Sequence, residues 1–238
     1  MSEVRASGDW MLAIDTSTDV AALALAPIGD GASGDGAEIR WNAGRNQTVM
    51  LLGEINHLCR LCDIELDALS AVAVATGPGS FTALRVGMSV AKGLAFALSI
   101  PIFGIGTLDA TAHGAAHWKL PVRAFVTAGR GRVVAADYVW QNGRLTMRGD
   151  MRHRTPSDLA EGLLQPTLLA GELSHADAAA LRAQQHVVLP DAAARTRRAA
   201  TLVDLAAPRW RAGEWDDVVS LEPLYVHSHA ASADAARR

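Results

Sequence analysis

The chain has 238 residues, half of them hydrophobic, with 22 Lys and Arg against 25 Asp and Glu for a net charge of −3. That length buries a real core in one large or two small domains, and the slight acidity argues against a dedicated nucleic-acid binder, which carries a clear basic excess. Cys59 and Cys62 are too few and too close for a secreted disulfide framework, and no stretch approaches the ~20 apolar residues of a membrane span, so a reduced, cytoplasmic protein without a membrane is expected.

Residues 1–9 and 228–238 are small, polar or Ala-rich and are expected to be disordered; 10–118 is expected to form an N-terminal lobe and 119–227 a smaller C-terminal one. The apolar runs 11–15 and 20–26 flank the polar stretch 16–19 and predict a β-hairpin, with a third strand near 38–41 after the Gly-rich loop 29–36. Residues 47–62 carry Met50, Leu51, Leu52, Ile55, Leu58, Cys59 and Cys62 at helical spacings. A buried-type strand at 71–75, a long helix at 81–98, a strand at 102–105 and a helix from about 108 follow, an alternation that predicts an α/β layered domain with parallel pairing. After Pro121 the pattern restarts with strands at 122–126 and 132–139 joined by the turn 129–131. Helices near 158–164, 175–182 and 199–212 and a short strand at 167–170 come after them. Two similar halves, each opening with a hairpin, is the expected architecture.

Gly77, Pro78, Gly79 and Ser80 separate a buried strand from a long helix, so the glycines permit unusual φ angles, the proline stiffens the turn and Ser80 can cap the helix. Such a helix start either contacts a phosphate through free N–H groups or simply connects strand to helix; without a lysine it is no Walker loop. Ala83, Gly87, Ala91 and Ala95 then recur every fourth residue, a stripe that another backbone can approach closely. Packing on the 47–62 helix and a subunit interface built from both helices are both open at this point. Gly87 and Gly93 each cost roughly 1 kcal/mol of helix propensity, a cost close packing can offset.

His113 and His117 have an i, i+4 spacing that can present two metal ligands, but no carboxylate stands nearby in sequence as a third, and a solvent-facing or capping role is the preferred reading. The C-x-x-C of Cys59 and Cys62 lies at a helix C-terminus, the wrong end to stabilise thiolates, and has no second pair; both read as small core or interface residues.

The run TGPGSFTALRVGMSVAKGLAFALSIPIFGIGTLDA, with Ala83 where glycine is usual, resembles the TsaB (YeaZ) family of tRNA threonylcarbamoyladenosine biosynthesis proteins. The opening MLAIDTST, 11–18, and AGRGRVVAADY, 128–138, resemble the same family, so the likeness covers the first 140 residues and is loose beyond them. It implies an α/β, two-lobed fold of the actin, Hsp70 and sugar-kinase (ribonuclease H-like) class. It also implies a non-catalytic partner of TsaD, which modifies the adenosine beside the tRNA anticodon, with the ATPase TsaE joining that assembly. A homodimer when alone follows from the same likeness, and the lack of a basic excess leaves only shared or indirect contact with tRNA.

By the same resemblance the first two helices form the partner surface, here Met50, Leu51, Glu54, Ala83, Gly87, Val90, Ala91 and Leu94. Asp15, Thr16, Ser17 and Thr18 sit where actin-like kinases hold nucleotide phosphate and magnesium, which implies at most weak ATP or ADP binding and no other cofactor. Thr127 stands where an aspartate of that class is common, and Gly171 is isolated rather than part of an adenosine loop. Thr107 and Thr111 occupy the frame of the catalytic paralogue's metal histidines, and hydroxyls are poor ligands beside imidazole, so no metal and no catalytic residue are expected. Further departures fall at Asn46, Gln47, Thr48 and His227, the last two residues after Tyr225. The alternative readings are an ATP-dependent phosphotransferase or hydrolase using Asp15 and, more remotely, a metalloprotease.

Overall fold

The computed structural model describes residues 9–29, 36–44, 47–129 and 131–226. The expected loose ends, Asp9 apart, lie outside these residues, as do Asn46, His227 and most of the Gly-rich loop. Trp10–Asp15 (β1) and Val20–Pro27 (β2) pair antiparallel around the turn at 16–19. Ala37–Asn42 (β3) pairs antiparallel with β2, whereas Leu69–Gly77 (β4) pairs parallel with β1 and Ile102–Gly106 (β5) parallel with β4. The strand order is β3-β2-β1-β4-β5. Every residue of β1 is buried, as a central strand covered on both faces requires.

A second sheet repeats the plan. Val122–Thr127 (β6), Val133–Gln141 (β7) and Arg144–Arg154 (β8) form an antiparallel meander. Thr167–Ala170 (β9) joins β6 in parallel and Val187–Val188 (β10) joins β9, giving the order β10-β9-β6-β7-β8. Both sheets thus have three antiparallel strands followed by two parallel additions, and the two halves open with hairpins as expected. The long strand β8 escaped the sequence reading because its run RLTMRGDMRHR is dominated by charge and lacks the apolar alternation that signals a strand.

Gln47–Leu61 (α1) and Phe81–Leu98 (α2) cover one face of the first sheet, where Leu51, Ile55, Leu58 and Met88 pack on Leu12, Ile14, Val72 and Val74. By length and composition α2 passes for a membrane span, with a mean hydropathy of 1.3 over 18 residues, contrary to the expectation that no stretch comes close. Its burial pattern is that of a core helix, with Ala83, Leu84, Gly87, Met88, Ala91, Leu94 and Ala95 turned inward. Thr107–Gly114 (α3) bridges the two sheets: Leu108 and Ala112 pack with the core of the second, Ala110 with that of the first. His175–Arg182 (α4) and a 3-10 turn, Pro156–Ala160, cover the second sheet's other face through Leu181 and Leu159. The turn replaces the helix expected at 158–164.

The boundary at 119–227 needs correction at its C-terminal end. Ala200–Arg211 (α5) crosses back to the first sheet, where Leu202, Val203 and Ala206 close the Ala-rich face formed by Met11, Ala13, Ala71 and Ala73. The chain stays there as far as Leu224, with the Asp216 N–H donating to the Ile102 carbonyl at 3.0 Å and the Leu224 N–H to the Thr76 carbonyl at 2.7 Å, and Val226 then returns to the core of the second sheet. A sheet buried on both faces needs two helical layers, and only one is local in sequence.

Candidate functional site

Asp15 ends β1 in the interior, its side chain 4% exposed. Its Oδ1 accepts from the Ser17 N–H at 2.9 Å and the Ser17 hydroxyl at 2.5 Å. Its Oδ2 accepts from Arg197 Nε at 3.0 Å. The same guanidinium donates from Nη2 to Thr18 Oγ1 at 2.9 Å and from Nη1 to Glu172 Oε2 at 3.4 Å. Arg197 is thus a buried clamp between the β1–β2 turn of the first sheet and the segment following β9 of the second. Burial pushes the Asp15 pKa up, but the Arg197 charge and the Ser17 and Arg197 hydrogen bonds outweigh it and hold it below the ordinary carboxylate value. Burial likewise opposes the charge on Arg197, and Asp15 and Glu172 more than offset it, raising its pKa.

The neighbouring basic residues act as a strap. Arg195 Nε donates to the Pro190 carbonyl at 2.9 Å and its Nη1 to the Gly171 carbonyl at 3.2 Å, while Arg198 pairs with Glu38 of β3 at 2.8 Å. Asp15 and Thr18 are therefore brought together, and both accept from the internal guanidinium of Arg197. Thr127, at the end of β6, is exposed and takes no part in this cluster.

The turn at 77–80 packs on the same strand end. Ser80 stands at the N-cap of α2 with no side-chain cap bond, so its expected capping role is not what holds the helix start. Its backbone N–H instead donates to the Ser17 carbonyl at 2.7 Å. Gly77 has φ +112°, a conformation that favours glycine, and a side chain there would meet the Leu224 carbonyl at 2.7 Å. The turn is enclosed by protein on both sides, which matches a strand-to-helix connection better than a phosphate loop.

Ala83, Gly87 and Ala91 face inward, which overturns their assignment to a partner surface. The Thr16 hydroxyl donates to the Ala83 carbonyl at 2.7 Å, and a Cβ on Gly87 would collide with Thr16 Oγ1. Leu51 and Leu94 are buried as well, so of the eight interface candidates only Met50, Glu54 and Val90 are partly exposed. The stripe exists because β1 and its turn lie directly under α2. Outside, the two helices present Val49 (84% exposed), Leu52 (54%) and Phe96 (80%). Gly53 and Gly93, both exposed in mid-helix, have, among the described residues and beyond their own stretch of helix, no atom within 4 Å of where a Cβ would stand.

The other sequence candidates separate. His113 lies 3.8 Å from Asp204 of α5, a carboxylate that no local spacing reveals, whereas His117 falls in a separate 3-10 turn, Ala116–Trp118, against the Gly114 carbonyl. Among the described residues no group of three or more His, Cys, Asp or Glu is placed to hold a metal. Thr111 donates to the Thr107 carbonyl at 2.7 Å, while the buried Thr107 hydroxyl has no hydrogen-bond partner among the described residues. Cys59 is a core residue with Cys62 packed against it, and burial raises both thiol pKa values.

Asp109 of α3 accepts from the Tyr138 hydroxyl of β7 at 2.7 Å. Burial and then the Asp109 charge push the Tyr138 pKa far up, keeping the phenol a neutral donor. Tyr138→Phe is expected to lower stability by about 1.5–3 kcal/mol in chemical unfolding, the range for a hydrogen bond to a charged group. An unchanged unfolding midpoint would show that this bond does not join α3 to the second sheet.

Comparison with known proteins adds the family. The profile of the family described as TsaD, tRNA N6-adenosine threonylcarbamoyltransferase, matches residues 41–203. The tRNA threonylcarbamoyladenosine biosynthesis protein TsaB of Escherichia coli is 27% identical over 233 residues, spanning 93% of this chain and 96% of that protein. Its namesake in Bacillus subtilis is 35% identical over 101 residues, 42% of this chain and 44% of that one. The solved structure of YeaZ from Pseudomonas aeruginosa superposes with a TM-score of 0.73 at 26% identity, covering 92% of this chain and all of the other. The fold is therefore of the two-lobed actin-like (ribonuclease H-like) class.

Proposed function

We propose, since the chain belongs to the TsaD family and within it to the TsaB (YeaZ) group, that it serves threonylcarbamoyladenosine synthesis on tRNA in the cytoplasm as a non-catalytic subunit that binds TsaD. TsaE joins through that pair, tRNA is met indirectly, and the isolated chain pairs with a second copy of itself. The observation that carries the binding role is the outer face of α1 and α2. Val49, Leu52 and Phe96 stand exposed there, and Gly53 and Gly93 each forgo about 1 kcal/mol of helix propensity with no other described residue packed on them. A partner helix approaching closely accounts for both features.

A non-catalytic role is supported by Asp15, whose carboxylate oxygens are taken by Ser17 and Arg197. A phosphotransferase needs that carboxylate free for a magnesium ion, so ATP or ADP is expected to bind weakly if at all. The test is co-purification with TsaD. Gly93→Arg and Phe96→Glu, both on the open face, are expected to leave the chain folded, abolish the complex and stop threonylcarbamoyl transfer in the reconstituted reaction. Complex formation at wild-type strength in both variants would overturn the assignment of this face. ATP turnover by the chain alone, lost in Asp15→Ala, would overturn the non-catalytic reading.

A further inference from the structure

The face of the second sheet that packs against α4 changes character halfway along. Phe125, Val133, Ala135 and Leu169 are roofed by Leu159 and Leu181. Beyond the roof the same face carries Arg123 and Asp137, paired across β6 and β7. The edge strand β8 then departs from regular pairing. Asp137 stands opposite Arg148 and Ala135 opposite Arg152, so three residues of β8 span a gap that β7 crosses with Ala136 alone. Gly149, with φ +77°, begins this bulge. A bulge re-aims side chains, and here it sets Arg148 and Arg152 beside two β7 positions that share a face.

The result is a hollow of about 430 Å³ between Arg123, Arg148 and Arg152 on one side and Leu163, Leu164 and Gln165 on the other. It adjoins a smaller one of about 110 Å³ that Asp150 and Arg154 also line. The charges are unequally committed. Arg123, its side chain 4% exposed, binds Asp137 through Nε at 2.6 Å and Nη2 at 3.0 Å, and its Nη1 donates to the Leu159 and Glu161 carbonyls at 2.8 Å. Arg154 donates to the Asp158 carbonyl at 3.1 Å and lies 3.5 Å from Glu161. Both oxygens of Asp137 accept from Arg123. The side chains of Arg148 and Arg152, exposed at the rim, have no hydrogen-bond or ion-pair partner among the described residues. Burial and then the Arg123 charge lower the Arg154 pKa, with Asp137 and Glu161 only partly compensating, which fits a local excess of positive charge.

We propose that this hollow binds phosphate groups, with Arg148 and Arg152 as the donors beside the fixed Arg123–Asp137 pair. Guanidinium forks match phosphate oxygens in pairs, and a net charge of −3 spread over the whole chain does not prevent a local basic site. The phosphates can belong to an RNA strand, which would replace the indirect contact with tRNA by a direct one, or to a free polyphosphate, and the chemistry is the same. It is independent of the partner face of α1 and α2, which lies on the other sheet.

The experiment titrates the full chain at about 50 mM salt, where phosphate contacts are strong, with a labelled RNA oligonucleotide and, separately, with inorganic triphosphate. Arg148→Gln with Arg152→Gln is expected to weaken binding at least tenfold and to reduce the slope of log affinity against log salt by about one to two. Tight oligonucleotide binding that triphosphate displaces poorly identifies RNA as the source; saturable triphosphate binding at similar affinity identifies a free polyphosphate. Arg148→Lys with Arg152→Lys, which keeps charge but loses the forks, should fall between and controls for folding. Failure of both probes to bind the wild type, or binding unchanged in the double glutamine variant, would overturn the proposal.

Discussion

Arg197→Met is expected to destabilise the protein by about 3–5 kcal/mol in urea unfolding, because it leaves the buried Asp15 carboxylate without its cation. Removing one member of a buried pair costs more than removing both, since the uncompensated charge cannot be resolvated. Asp15→Asn combined with Arg197→Met should therefore recover a large part of the loss, with a coupling of at least about 1 kcal/mol between the two sites. Strict additivity of the two single substitutions would refute the clamp. The pH dependence has a definite sign. The folded Asp15 pKa lies below its ordinary value of 3.8, so the pair's contribution is fully present above pH 3.8 and is lost as the pH falls through the lower folded value. In Arg197→Met only the Ser17 hydrogen bonds oppose the upward push of burial, so this acid-side loss should flatten.

Two glycines of α2, six residues apart, are expected to respond to alanine with opposite signs. Gly87→Ala places its Cβ against the Thr16 hydroxyl and disturbs the Thr16 bond to the Ala83 carbonyl. Overpacking of this kind costs about 1–3 kcal/mol, and Gly87→Arg should not fold. Gly93→Ala meets nothing within 4 Å and should gain about 0.5–1 kcal/mol from helix propensity alone. Thermal unfolding of the two variants decides the matter. Thr16→Ala, which removes the colliding oxygen, should rescue Gly87→Ala in part. Equal and small effects at both positions would mean that α2 does not lie on the β1 turn as described.

This contrast shows where sequence reading stops. The period of four in Ala83, Gly87, Ala91 and Ala95 identifies a face that something approaches closely. Because α2 also carries the apolar Val86 and Val90, packed at the edge of the same core, and Phe96, which is exposed, the period alone does not say which face the sheet claims. The arginine clamp was hidden for a different reason: Arg197 is 182 positions from Asp15, and a basic run such as 195–198 ordinarily reads as a solvated surface. The arginines of β8 were equally silent, since a charged edge strand lacks the apolar alternation by which strands are found.

The elements themselves follow from local chemistry. Apolar runs bounded by Gly and Pro, helical spacing in 47–62 and 81–98, and the TGPGSFTALR segment are enough to specify the strands and helices of the first half, the duplicated hairpin plan and the family. Tertiary structure alone decided that α5 closes the first sheet, that Arg197 meets Asp15, that the small-residue stripe is core, and that Arg148 and Arg152 share a hollow. Local pattern reports what one segment can bury. Which partner it buries against, and which charge is left over, depends on pairings between residues distant in the chain, and those exist only once the sheets have formed.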